Sequence, residues 1–92
     1  MTRIVHVVVR GRVQGVGYRA WTADAARALR LAGHVRNRRD GAVEVLLAGP
    51  TEVVETMLAR MRAGPPAARV DDLAVEESSD NVPTGFAVLA TA

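Results

Sequence analysis

With 92 residues the chain is the size of one domain, and 49% hydrophobic with 24% charged residues is an ordinary globular composition. Cysteine is absent, which excludes disulfides, thiolate catalysis and Cys-ligated zinc and suits a cytoplasmic setting; no apolar run approaches the ~20 residues of a membrane span. All 12 basic residues are arginine yet the net charge is only +2, so their number is no footprint of a nucleic-acid partner and only their positions inform.

The segment from Ile4 to Val9 is β-branched and nearly continuous, which predicts a strand with Val5, Val7 and Val9 on one side and Ile4, His6, Val8 and Arg10 on the other. A glycine-rich turn follows. Trp21, Ala25, Ala28, Leu29 and Ala32 then recur at helical spacing, with Gly33 expected to close the helix as its C′ residue. "HVRNRR" and "AVEVLLA" flank Asp40-Gly41, a strong hairpin signal, with Val43, Val45 and Leu47 alternating against Glu44 and Leu46. Gly49 as N-cap and Pro50 at the first helical position predict a second helix, buried through Val54, Met57, Leu58 and Met61 and stopped by "AGPP". A fourth strand is expected at about Val70–Glu76 with Leu73 and Val75 inward, then the polar loop "SSDNVPTG" and a short strand in "FAVLA".

The order β-α-β-β-α-β plus a terminal strand predicts an α+β fold, the ferredoxin-like split β-α-β sandwich, with two helices on one face of a mainly antiparallel sheet. No linker or repeat divides the chain, so residues 1–92 are expected to form one domain. Such an architecture hosts many functions, and the site must speak for itself.

The informative stretch is "GRVQGVGYR", residues 11–19, where one turn carries three glycines and ends on Arg19. Gly15, Gly17 and Ala20 satisfy a dinucleotide-binding spacing, but the strands that follow form a tight hairpin and the chain is too short for a doubly wound sheet. The physics behind that motif still holds. Glycines before a helix let backbone N–H groups converge on an anion at the positive end of the helix dipole, and Arg19 would meet the same anion with a fork of donors.

"GRVQGVGYR", followed by "GHVRNRRDG", resembles the acylphosphatase family, whose signatures are a G-x-V-Q-G-V-x-[FY]-R loop and a G-[aromatic]-V-x-N-x-x-[DN]-G hairpin. The resemblance spans essentially the whole chain. It implies a small, metal-independent hydrolase that splits small acyl phosphates into a carboxylate and phosphate. It implies that Arg19 grips the substrate phosphate, helped by the main-chain N–H groups of Gln14, Gly15, Val16, Gly17, Tyr18 and Arg19, and that Asn37 orients the attacking water. No cofactor or metal is called for, inorganic phosphate or sulfate is the expected product-like ligand, and a monomer without nucleic-acid or membrane partners is expected. Two departures stand out: His34 replaces the usual aromatic and could alter substrate packing near the site, and Tyr18 stands where Phe is commoner.

Two rival functions are weighed against this one. An RNA-binding module would stack bases on exposed sheet aromatics, and Tyr18, Trp21 and Phe86 lie off the central strands. A non-catalytic acylphosphatase-like domain would keep the same motifs without turnover.

Overall fold

The computed structural model describes residues 2–92; Met1 lies outside them. Seven elements follow in the expected order: β1 (Thr2–Arg12), α1 (Tyr18–Ala28), β2 (Ala32–Asn37), β3 (Val43–Pro50), α2 (Thr51–Ala63), β4 (Arg69–Glu77) and β5 (Phe86–Val88). The five strands form one sheet in the order β4-β1-β3-β2-β5. β1 lies antiparallel to both β3 and β4, with Val7 opposite Val45 and Val75, and β2 is antiparallel to β3. Only β5 runs parallel, against β2, with Gly33 beside Phe86.

Strand alternation decides which side is buried. Val5, Val7, Val9, Val35, Val43, Val45 and Leu47 are all solvent-free, and they meet Tyr18, Ala23 and Ala26 of α1 and Val54, Met57, Leu58 and Met61 of α2. Each such aliphatic side chain contributes about 1.5–3 kcal/mol on burial. The opposite, helix-free face carries Ile4, His6 and Val8 on β1, Glu44 and Leu46 on β3, and His34 and Arg36 on β2. There Leu46 lies between His6 and His34 in register, and Glu44 bonds Arg36 at 2.7 Å and lies 3.6 Å from His6.

Three local expectations are corrected. α1 ends before Gly33, at Ala28, and the left-handed C′ position is taken by Arg30 at φ 58°. Leu31 N–H reaches back to the Ala26 carbonyl at 2.9 Å and Arg30 N–H to that of Arg27 at 3.0 Å, a Schellman closure locked by burying Leu31. Gly33 instead lies within β2 at φ 137°, where a Cβ would sit 1.8 Å from the Leu46 carbonyl oxygen; its glycine serves strand contact. Pro50 is the last residue of β3, paired with Thr2, so α2 begins at Thr51 and Gly49 is no cap. Finally, the buried side of α1 centres on Tyr18, Thr22, Ala23 and Ala26, while Ala28 is exposed.

Candidate active site

The turn from β1 into α1 is held at one end by buried Val13 and at the other by buried Tyr18. Gly15 and Gly17 take φ 74° and 79°, a region that side chains rarely enter, and a Cβ on either would touch nothing within 4 Å. These glycines therefore answer to backbone direction rather than to crowding. Gly17 is the N-cap of α1 and supplies no side-chain bond, and no acidic residue occupies the first turn. The first α1 amide with a partner belongs to Trp21, which donates to the Gly17 carbonyl at 2.9 Å. Among the described residues, none of the backbone N–H groups from Gln14 through Ala20 has an acceptor. A run of orphan donors at a helix N-terminus is a cradle for an anion.

Arg19 stands in that same first turn, where the helix dipole disfavours a cation. An anion lying between guanidinium and amides reverses the sign of that interaction. Five of the 12 arginines pair with carboxylates; Arg19, the arginine that lines the cavity between loop and hairpin, is one of seven that do not among the described residues. Its only hydrogen bond there runs from Nη1 to the Leu89 carbonyl at 3.2 Å. Asn37 ends β2, and its side-chain Oδ1 is buried without a partner. Both side chains open into one cavity of about 310 Å³ lined by Val13, Gln14, Gly15, Gly17, Tyr18, Arg19, Ala20 and Asn37. A larger cavity of about 800 Å³ lies at the other end of β1, around Ile4, Leu31 and Phe86, and contains none of these groups.

The remaining expected residues divide by what their side chains do. Val16 packs half-buried against the core and does not line the cavity. The buried hydroxyl of Tyr18 donates to the Met61 carbonyl at 2.8 Å, and burial pushes its ionisation well above the ordinary phenol range, so it is a structural ring. Gln14 turns its side chain away from an anion-binding role: Nε2 donates to the carbonyls of Arg38 and Ala42 at 2.7 and 2.8 Å. His34 points to the helix-free face and is absent from the cavity lining.

Among the described residues no carboxylate lines the cavity. Asp40 accepts from Ala42 N–H at 3.0 Å and pairs with Arg38 and Arg10; that backbone bond first, then the arginines, hold its carboxyl below the usual range. Asp24 is exposed on α1. Among the described residues no group of three or more His, Asp or Glu is arranged to hold a metal.

Sequence reasoning missed the segment after β5. Leu89 N–H donates to Val35 at 2.8 Å, Ala92 N–H donates to the Asn37 carbonyl at 3.0 Å, and Arg39 N–H donates to Ala92 at 2.9 Å. This segment therefore holds the Arg19 guanidinium and the Asn37 backbone together. Its contacts are main-chain ones that almost any residue makes, so no residue type announces them.

An uncapped amide loop, a guanidinium without a carboxylate partner among the described residues and a buried amide oxygen thus share one cavity of an α+β sandwich. The chain belongs to the acylphosphatase family, whose model it matches over residues 5–88. It is 60% identical over 80 residues to an acylphosphatase of Rhodopseudomonas palustris (strain BisB5), covering 87% of this chain and 81% of that one. An acylphosphatase of Azorhizobium caulinodans is 51% identical over 94 residues, with 99% of both chains covered. Among solved structures, the acylphosphatase of Bacillus subtilis superposes with a TM-score of 0.89 at 36% identity, covering 97% of this chain and 99% of that one.

Proposed function

We propose that this chain hydrolyses small acyl phosphates, with Arg19 and Asn37 as its catalytic residues and the amides of residues 14–20 as its phosphate cradle. The observation that carries this reading is the shared cavity: orphan backbone donors, a guanidinium bonded only to the Leu89 carbonyl and the unpartnered Asn37 oxygen line one space. It rests also on family membership and on relatives named acylphosphatase at 51–60% identity.

The chemistry asks for little more. Water attacks phosphorus in line, an O–P bond forms, and the bond to the acyl oxygen breaks with its electron pair leaving as a carboxylate. That leaving group is weakly basic and needs no general acid. The work is positioning and charge stabilisation. Arg19 and the amides neutralise the equatorial oxygens, and a single preorganised donor of this kind is worth ~2.7–4 kcal/mol in oxyanion sites. Asn37 has no proton affinity at neutral pH. Its Oδ1 accepts from the water and fixes the attack direction, while the proton passes to a phosphate oxygen.

The RNA-binding alternative finds no support on the sheet. Tyr18 and Phe86 are buried and Trp21 is on α1, its ring tilted 45° to that of Tyr18 with centroids 5.5 Å apart, so among the described residues the helix-free face offers no aromatic platform. Residues 1–92 act in this reading as one cytoplasmic, monomeric domain, and none of the described helices is long and apolar enough to cross a membrane. Purified protein should hydrolyse benzoyl phosphate at a rate that a chelator leaves unchanged. An inactive protein would refute the activity, and inhibition by chelator would refute the metal-free route.

A further inference from the structure

We propose that the Gln14 side chain is a positioning group: its amide fixes the spacing between the phosphate cradle and Asn37, and this side chain, unlike the Gln14 main-chain N–H, takes no part in binding substrate. The inference rests on the hydrolase reading above and names a part that reading leaves unassigned.

The two halves of the site come from separate elements. The cradle and Arg19 lie between β1 and α1, whereas Asn37 ends β2 at the base of the β2–β3 hairpin. No ladder joins β1 to β2 directly: β3 lies between them, with Val43 paired to Val9 on one side and to Asn37 on the other, and neither ladder reaches the loop beyond Arg12. Gln14 spans that gap. Its Nε2 donates to the carbonyls of Arg38 and Ala42, the two residues that bracket the Asp40-Gly41 turn. Both acceptors are already engaged within the hairpin: the Ala42 oxygen receives Arg38 N–H at 2.8 Å and the Arg38 oxygen receives Gly41 N–H at 3.1 Å. The side chain therefore docks on a preformed turn and leaves its own loop amides without acceptors. Since both partners are carbonyl oxygens, only the NH₂ end of the amide can face them. Glutamine at this position then follows from chemistry. It offers two donors on one nitrogen at a reach that asparagine lacks, and a glutamate would turn an anion toward two carbonyl dipoles.

In-line attack is sensitive to such spacing, since a displacement of ~1 Å costs on the order of 100-fold in rate. Phosphate binding is less sensitive, because Arg19 and the amides lie on one side of the gap. Loss of the clamp should therefore separate turnover from binding.

The test compares wild type with Gln14→Met, which keeps length and removes the donors, and with Gln14→Glu. Benzoyl phosphate turnover gives kcat, and calorimetry with inorganic phosphate gives affinity without turnover. Gln14→Met should lower kcat by about 10- to 100-fold while phosphate Kd stays within about threefold of wild type. Gln14→Glu should be equally slow at neutral pH and recover relative to wild type as pH falls, because a protonated carboxyl again donates to one carbonyl. Either a kcat within about twofold of wild type or a parallel loss of kcat and phosphate affinity in Gln14→Met overturns the proposal. If Gln14→Met does not fold, the pH ratio of Gln14→Glu decides: recovery upholds the clamp and a flat ratio overturns it. The NMR signal of the Asn37 side-chain NH₂ adds a readout free of turnover. Phosphate should shift it in wild type and leave it unmoved in Gln14→Met that still binds phosphate; an unchanged response overturns the clamp even if benzoyl phosphate is not hydrolysed. An inert wild type that binds phosphate refutes the hydrolase reading alone.

Discussion

Replacing Arg19 with alanine removes the one cation of the cavity, and the structure says what else changes. The guanidinium has a single hydrogen bond, from Nη1 to the Leu89 carbonyl at 3.2 Å, and no carboxylate would be orphaned by its loss. That bond is worth about 1 kcal/mol, and removing a cation from the first turn of α1 returns roughly 0.3–1 kcal/mol of dipole energy. Stability of the ligand-free protein should therefore change little. Phosphate affinity should not be spared. A bidentate grip of two charge-assisted bonds is worth about 3 kcal/mol or more after solvent competition, which corresponds to a roughly 100-fold rise in phosphate Kd. Arg19→Lys should fall between, keeping the charge and losing the fork. Calorimetry with inorganic phosphate, paired with thermal melts without phosphate, reads both quantities. A phosphate Kd for Arg19→Ala within about threefold of wild type would refute the assignment of Arg19 to the anion.

Asn37→Ala should cut kcat by on the order of 100-fold with phosphate Kd nearly unchanged, and urea unfolding should show a fold as stable or up to about 1 kcal/mol more so, because Oδ1 is buried unpaired. A variant that loses phosphate affinity as fully as turnover would make Asn37 a binder. Gly33→Ala should fail to give soluble folded protein, since its Cβ would lie 1.8 Å from the Leu46 oxygen, and a normal melt would show that β2 and β3 can separate. His34 is held below its ordinary pKa of 6.5 by burial and then by Arg36. The unfolded chain therefore takes up the proton first, and stability should decline as pH falls from 6.5 toward the folded value. Denaturant midpoints measured from pH 7 to lower pH should show this decline, and His34→Gln should flatten it.

Periodicity and turn chemistry made most of the fold legible. The Val5-Val7-Val9 alternation, the Asp40-Gly41 turn and the Val54-Met57-Leu58-Met61 stripe each reappear where their spacing puts them. Gly33 misled because glycine answers two different needs. Its spacing suits a left-handed helix stop, while the position demands close approach to β3, and Arg30 tolerates the left-handed stop because burial of Leu31 secures it. Pro50 misled in the same manner, since a proline suits a strand end as well as a first helical turn. At the candidate site, Arg19, Asn37 and the glycines were legible as residue types, and the structure brings them to one cavity. The role of the Gln14 side chain was not legible, because it depends on two carbonyls more than twenty residues away in the chain. The hold of Leu89 and Ala92 on Arg19 and Asn37 was invisible for a simpler reason: it is made by main-chain atoms.

The claim on which the rest depends is that main-chain amides and the Arg19 guanidinium jointly hold a phosphoryl group. Titrating isotopically labelled protein with inorganic phosphate and following its amide resonances tests this directly. The N–H signals of residues 15–20 should move together in a saturable manner along with the Arg19 side chain, while β4 and α2 stay still. Saturable shifts confined to the larger groove around Arg27 and Phe86, with residues 15–20 silent, would contradict the account.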